Sequence, residues 1–200
     1  MEMNTGGLTG PFGAIAFDLD GTLVDSGLDF FAIREELGFP QGIGLLEHIA
    51  TLSDPAAVAH AHAVIHRFEM AGARRATWMP GAQELLLHLK AFDVPVAILT
   101  RNSREAVAAT DAALGLGIEL ILTRDDAPPK PDPGGLALIA EQLGTAPDRM
   151  TYVGDYVDDL TAARRAGMAA GLYRNERNAR FVGQADYVIR HFNELQQLWR

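Results

Sequence analysis

The chain has 200 residues, 48% of them hydrophobic and 22% charged, which is enough for one compact α/β domain with a small inserted module and too apolar for a disordered chain. A formal charge of -9 argues against a nucleic-acid-binding face but not against an anionic substrate, because a bound divalent cation reverses the local field. The lack of cysteine excludes disulfides, zinc thiolates and thiol catalysis; no apolar run approaches the ~20 residues of a membrane span, and residues 1–13, glycine-rich with no basic residue, read as the loose leader of a cytoplasmic protein.

Ala14-Ile15-Ala16-Phe17 predicts a short buried strand, followed by Asp18 and the turn signal Asp20-Gly21-Thr22. Over 25–75 the pattern is helical, with no strand. Phe30, Ile33 and Leu37 mark a first helix, stopped by Gly38 and Pro40; Ile43, Leu46 and Ile49 mark a second. Asp54 and Pro55 open a third, whose core side carries Val58, Ile65 and Phe68. Helices are then expected over 84–90, 103–114, 133–144 (Asp132 as its cap), 157–166 and 192–199. Strands are expected over 94–99, 119–122, 150–153, Ala169–Tyr173 and Tyr187–Ile189. This alternation predicts an α/β fold: a doubly wound, Rossmann-like parallel sheet with a small all-helical cap inserted after the first strand. The expected division is 1–25 and 80–200 for the core and 26–79 for the cap.

In such sheets ligands bind outside the carboxyl ends of the strands. Asp18 and Asp20, Thr100, Lys130, and Asp155 with Asp158 and Asp159 all fall there. Residues two apart on an extended chain share a side, so Asp18 and Asp20 both face the pocket. With Asp155 they bring three carboxylates together, a conflict that a hard divalent cation removes; magnesium suits it best, taking carboxylates, waters and a substrate phosphate. Lys130 and the Thr100 hydroxyl complete a phosphoryl-binding set, and an aspartate can form an aspartyl-phosphate. Taken singly, Thr100 reads as a cap, Lys130 as a loop lysine and Asp155 as an N-cap. Their joint placement at one sheet edge outweighs those readings.

Asp18-Leu19-Asp20-Gly21-Thr22-Leu23-Val24-Asp25-Ser26 resembles the first motif of the haloacid dehalogenase-like phosphatases. Leu99-Thr100-Arg101-Asn102 resembles the second, Pro129-Lys130-Pro131 the third, and Val153-Gly154-Asp155-Tyr156-Val157-Asp158-Asp159 the fourth. The resemblance implies that Asp18 attacks phosphorus and binds magnesium. Asp20 would act as acid and base and lend its carbonyl to the metal. Thr100, Arg101, Asn102 and Lys130 would hold phosphate, Asp155 would bind the metal, and Asp159 would orient its shell. Dehalogenases of this family lack an acid at the position of Asp20, so its presence favours a phosphate ester. Two departures stand out. Tyr156 replaces a small hydroxyl residue and either narrows the pocket or points into the sheet. Arg101 displaces Asn102 by one position.

The helical insert resembles the family's lid. In it, Arg34 is a candidate contact for substrate phosphate or carboxylate, with Arg67, Arg74 and Arg75 weaker. His60, His62 and His66 suggest a metal cluster only faintly, and Trp78 and Met79 read as packing. The expected activity is that of a magnesium-dependent phosphatase for a small phosphorylated metabolite, phosphoglycolate-like or a sugar phosphate, with no nucleic-acid or membrane partner. The alternatives are a sugar-phosphate mutase on the same core and, less favoured, a phospho-accepting signalling module.

Overall fold

The structure is a computed structural model and describes residues 12–199. Six strands form one parallel sheet in the order β5-β4-β1-β6-β7-β8, with β1 Ala14–Phe17, β4 Val96–Leu99, β5 Leu120–Leu122, β6 Met150–Gly154, β7 Ala169–Tyr173 and β8 Tyr187–Ile189. The central strand β1 pairs with β4 on one side and β6 on the other, Phe17 lying opposite both Ile98 and Val153. Alternation splits its four buried residues between two faces. Ile15 and Phe17 join a core with α4 (Ala82–Ala91), α5 (Arg104–Leu114) and α8 (Asn193–Gln196); Ala14 and Ala16 join one with α6 (Gly134–Gln142) and α7 (Val157–Arg165). Helices thus cover both faces, and the sheet is the doubly wound arrangement expected.

Between β1 and α4 lie three helices, α1 Phe30–Leu37, α2 Leu45–Ile49 and α3 Pro55–Ala73. Asp29 and Asp54 cap α1 and α3 through their carboxylates, and Gly38 ends α1 in the left-handed conformation at φ 66°. Ile33, Leu45, Ile49, Ala61 and Ile65 make a separate small core, with Val58 and Phe68 packed against it. The insert hangs from a stem. β2 (Val24–Asp25) and β3 (Thr77–Trp78) pair antiparallel, and the Met79 N–H donates to the Leu23 carbonyl at 2.9 Å. Two residues per strand are too few to show alternation, so this ribbon escapes a pattern reading. Trp78 and Met79 pack on the main core, as read from the sequence.

Three expectations need correction. The last helix is one short turn, Asn193–Gln196, rather than 192–199. The helix after Asp132 starts at Gly134, with Pro133 as its cap residue and the Asp132 carboxylate accepting from the Gly134 N–H. The leader reading also fails where it can be checked. Residues 1–11 lie outside the described residues, but Phe12 is buried against Tyr187 and Trp199, and the Gly13 N–H donates to the Arg149 carbonyl at 2.7 Å. Among the described residues no helix is long and apolar enough to cross a membrane.

Because Phe12 fills a space bounded by two aromatic rings, Phe12→Ala is expected to destabilise the protein by about 2 kcal/mol or more in urea unfolding. A change indistinguishable from zero would show that this end of the chain contributes nothing to the core.

Candidate active site

The ladder carries β1 past its last residue: the Asp18 N–H donates to the Val153 carbonyl at 2.9 Å, which fixes Asp18 beside the end of β6. The chain then turns at Gly21, whose φ of 84° suits glycine and where an added Cβ would lie 2.8 Å from Asp155 Oδ2. Gly154 serves the other side of the site. A Cβ there would lie 2.3 Å from the Asp159 Cγ, so only glycine lets the first turn of α7 fold back over the strand end. Asp159 Oδ2 accepts from the Tyr156 N–H at 2.9 Å, satisfying a free donor at the helix start.

Asp18, Asp155 and Asp159 each offer a carboxylate oxygen within 4.8 Å of the other two. Lys130 is buried among them. Its Nζ lies 2.6 Å from Asp18 Oδ1, 2.7 Å from Asp159 Oδ1 and 2.9 Å from the Tyr152 hydroxyl, so each of its three N–H groups has an acceptor. The Tyr152 O–H in turn donates to the Leu99 carbonyl at 2.8 Å. Tyr152 is the member of the site that sequence reasoning missed. In the apolar run 150–153 it reads as core, and the only available signal was that a buried tyrosine hydroxyl needs a partner.

Three carboxyl groups against one ammonium would, with all of them ionised, leave two negative charges in a largely buried site. Burial and the charges of Asp159 and Asp20 push the Asp18 carboxyl up, against the pull of Lys130. Burial, then Asp18 and Asp159, push Asp155 up to about 8. Burial works against the Lys130 ammonium, but Asp159 and Asp18 outweigh it and raise its pKa, while burial keeps the Tyr152 phenol neutral. A divalent cation would cancel the two surplus charges, so the donor set fits magnesium, which binds through one or two carboxylates.

The other expected residues divide. Asp20 stands outside the three-carboxylate group. Its carboxylate accepts from the Ser26 N–H at 3.0 Å and the Ser26 hydroxyl at 2.7 Å, and burial raises its pKa, with smaller contributions from Asp25 and Glu69. Thr100 is buried at the end of β4, its N–H donating to the Leu122 carbonyl and its hydroxyl accepting from the Asn102 N–H. Asn102 lines the same narrow pocket as Asp20 and Ser26. The Arg101 guanidinium is engaged by Asp158, at 3.2 Å, and by Glu47 of α2. Arg34 is tied into the insert, donating to the carbonyls of Phe30 at 3.3 Å and Ile43 at 2.8 Å. Tyr156 does not enter the sheet; half exposed, it meets Phe181 edge-on at 5.3 Å. His60, His62 and His66 form no metal-ligand group among the described residues, and His66 pairs with Glu105 at 3.1 Å.

Comparison with known proteins agrees with this geometry. The family model of the haloacid dehalogenase-like hydrolases matches residues 34–167. A phosphoglycolate phosphatase from Chromobacterium violaceum is 32% identical over 94% of this chain and 96% of its own. Hexitol phosphatase A from Escherichia coli is 32% identical over 78% of this chain and 79% of its own. In structure, CbbY from Rhodobacter sphaeroides in complex with phosphate matches with a TM-score of 0.75 at 24% identity, covering 92% of this chain and 96% of its own. A hydrolase from Pseudomonas syringae matches with a TM-score of 0.77 at 24% identity, covering 94% and 97%. At these identities the structural likeness is one of fold.

The raised Asp155 carboxyl means that the folded chain binds more protons than the unfolded chain between the ordinary value of 3.8 and about 8. Its contribution to stability therefore falls as pH rises through that window. In metal-free protein, the melting temperature of wild type is expected to drop relative to Asp155→Asn from about pH 5 to about pH 8, and magnesium is expected to raise it more at the higher pH. Parallel pH profiles for the two proteins, or equal magnesium shifts at both ends, would contradict the crowded-carboxylate reading.

Proposed function

The chain belongs to the haloacid dehalogenase-like hydrolase family, on its phosphoglycolate phosphatase-like branch, and is a phosphoric monoester hydrolase acting on small phosphorylated substrates; from that premise we propose that it uses Asp18 as nucleophile and magnesium as cofactor. The observation that carries the proposal is the Lys130 ammonium, 2.6 Å from Asp18 Oδ1 inside a group of three carboxylates that one cation does not neutralise.

Asp18 and Asp155, with the carbonyl of Asp20, would hold magnesium, which when bound supplies charge neutralisation at the phosphate oxygens. Asp159 orients that shell through Lys130. An Asp18 oxygen attacks phosphorus and the bond to the leaving oxygen breaks. Asp20, whose burial favours its protonated form, gives its proton to that oxygen. The resulting Asp20 carboxylate takes a proton from water as the water splits the aspartyl-phosphate, which frees phosphate and restores Asp18. Lys130 stays an ammonium throughout and compensates the charge on Asp18 and the phosphate. Thr100 and the backbone of Arg101 and Asn102 hold phosphate oxygens.

Residues 26–79 would act as a cap over a core of 1–25 and 80–200. Its separate apolar cluster and two-strand stem support a unit that moves as one piece. Its links to the core include three polar contacts, Glu47 to Arg101, Glu69 to Arg124, and His66 to Glu105, beside the packing of α3 on α5. The more exposed of these contacts, those of Glu47 and His66, re-form at low cost, as a lid that admits substrate and then excludes water requires; the buried Glu69–Arg124 pair would hold the third insert helix against the core.

Asp18→Asn is expected to abolish hydrolysis of p-nitrophenyl phosphate while the melting curve stays cooperative. Chelation with EDTA should stop wild-type turnover, and magnesium should restore steady release of inorganic phosphate. Full turnover by the variant would remove Asp18 as nucleophile, and undiminished activity without metal would remove the cofactor.

A further inference from the structure

We propose that Glu69 is a positioning residue for the phosphate: acting through Arg124 and Ser103, it aligns the turn after β4 from the insert, so that the phosphate-holding groups are set while α3 is seated on the core. The inference rests on the phosphatase reading above and deepens it by naming how the insert acts on that site.

Thr100 and the backbone of Arg101 and Asn102 lie in the four residues between β4 and α5. Within this turn the Asn102 N–H donates to the Thr100 hydroxyl oxygen at 3.2 Å, which leaves the hydroxyl proton for a phosphate oxygen. Arg124, two residues past β5, reaches the turn twice. Its N–H donates to the Asn102 carbonyl at 3.3 Å, and its guanidinium Nη1 donates to the Arg101 carbonyl at 3.1 Å. The Arg101 carbonyl and the Asn102 N–H belong to one rigid peptide plane and point opposite ways. Holding the first therefore aims the second, and with it the Thr100 hydroxyl.

Glu69 decides where that guanidinium lies. Its Oε1 accepts from the same Nη1 that serves the Arg101 carbonyl, and its Oε2 accepts from the Ser103 hydroxyl at 3.2 Å. Ser103 in turn caps α5, its hydroxyl oxygen accepting from the Ala106 N–H at 3.3 Å. One carboxylate of the insert thus braces the phosphate turn from two sides. Glu69 is 6% exposed, so neither arm competes freely with water. Close packing brings it there. The helix α3 lies on α5, and at Gly72, three residues on, an added Cβ would lie 3.0 Å from the Ser26 carbonyl oxygen. Seating a helix on a core does not require charge, and a buried ion pair carries a desolvation cost that an apolar pair of similar volume avoids. What the pair adds is direction, because charged hydrogen bonds fix an angle that apolar contacts leave free.

Replacing the pair by apolar residues, Glu69→Leu with Arg124→Met, removes the alignment without leaving a buried charge unpaired. The expected product is a protein that melts cooperatively, is inhibited by inorganic phosphate about tenfold or more weakly, and shows a similar fall in kcat/KM for p-nitrophenyl phosphate. The magnesium concentration for half-maximal activity should stay at the wild-type value, because the carboxylates proposed to hold the metal come from the ends of β1 and β6 rather than from this turn. Glu69→Gln, which keeps the shape and retains Arg124, should weaken phosphate inhibition in the same direction by less, and it decides the matter alone if the double variant does not fold. Phosphate inhibition unchanged in a folded variant overturns the inference. So does an equal loss of phosphate and magnesium affinity, which would make Glu69 a structural residue only. Either result leaves the phosphatase reading intact. Failure of wild type to hydrolyse p-nitrophenyl phosphate in magnesium would instead bring down that reading, and this inference with it.

Discussion

One buried ammonium set against two buried carboxylates and a third, partly buried one is the constraint around which this chain is organised. Lys130 reaches the site from the loop after β5, Asp18 from the end of β1, and Asp155 and Asp159 from the end of β6 and the first turn of α7. Desolvating four charged groups is costly, and the Coulomb return recovers it only where every proton and lone pair is matched. The matching is close to complete: Lys130 finds three acceptors, and the Tyr152 hydroxyl passes its own proton to the Leu99 carbonyl. What stays unmatched is charge: ionising all three carboxyls would leave two surplus negative units, and that conflict marks the place as a candidate site rather than a well-satisfied core.

The fold supplies the convergence. Parallel strands end on one edge, and with β1 between β4 and β6 the three segments that carry Asp18, Thr100 and Asp155 are neighbours, however distant in sequence. Two glycines make the approach close enough, Gly21 against Asp155 and Gly154 against Asp159. The helical insert leaves the core through β2, shortly after Asp20, and returns through β3, so Asp20 and Ser26 stand where the sheet edge and the insert meet.

Much of this was legible in the sequence because it depends on local signals. Short apolar runs followed by acidic or hydroxyl residues mark strand ends, and Asp54-Pro55 marks a helix start whatever surrounds it. Where sequence reasoning fell short, the determinant was a long-range partner. Arg34 looked free on its helix, but the carbonyl of Ile43 nine residues on claims it. Nothing local showed that the Arg101 side chain would be held by Asp158 and Glu47. Tyr152 looked like core until Lys130 and Leu99 appeared beside its hydroxyl. Phe12 looked like part of a leader, and only the distant Tyr187 and Trp199 show what it packs against. Ser26 stood within a recognised motif, yet nothing local showed that it would hold the Asp20 carboxylate.

The central claim is that these separated groups meet to hold a single divalent ion, and anomalous diffraction from crystals soaked in manganese tests it without recourse to activity. One anomalous peak per chain is expected, within ligand distance of the Asp18 and Asp155 carboxylates, and it should vanish in crystals of Asp155→Asn. A folded wild-type protein with no peak at that position, or with its only bound ion elsewhere, would contradict the account.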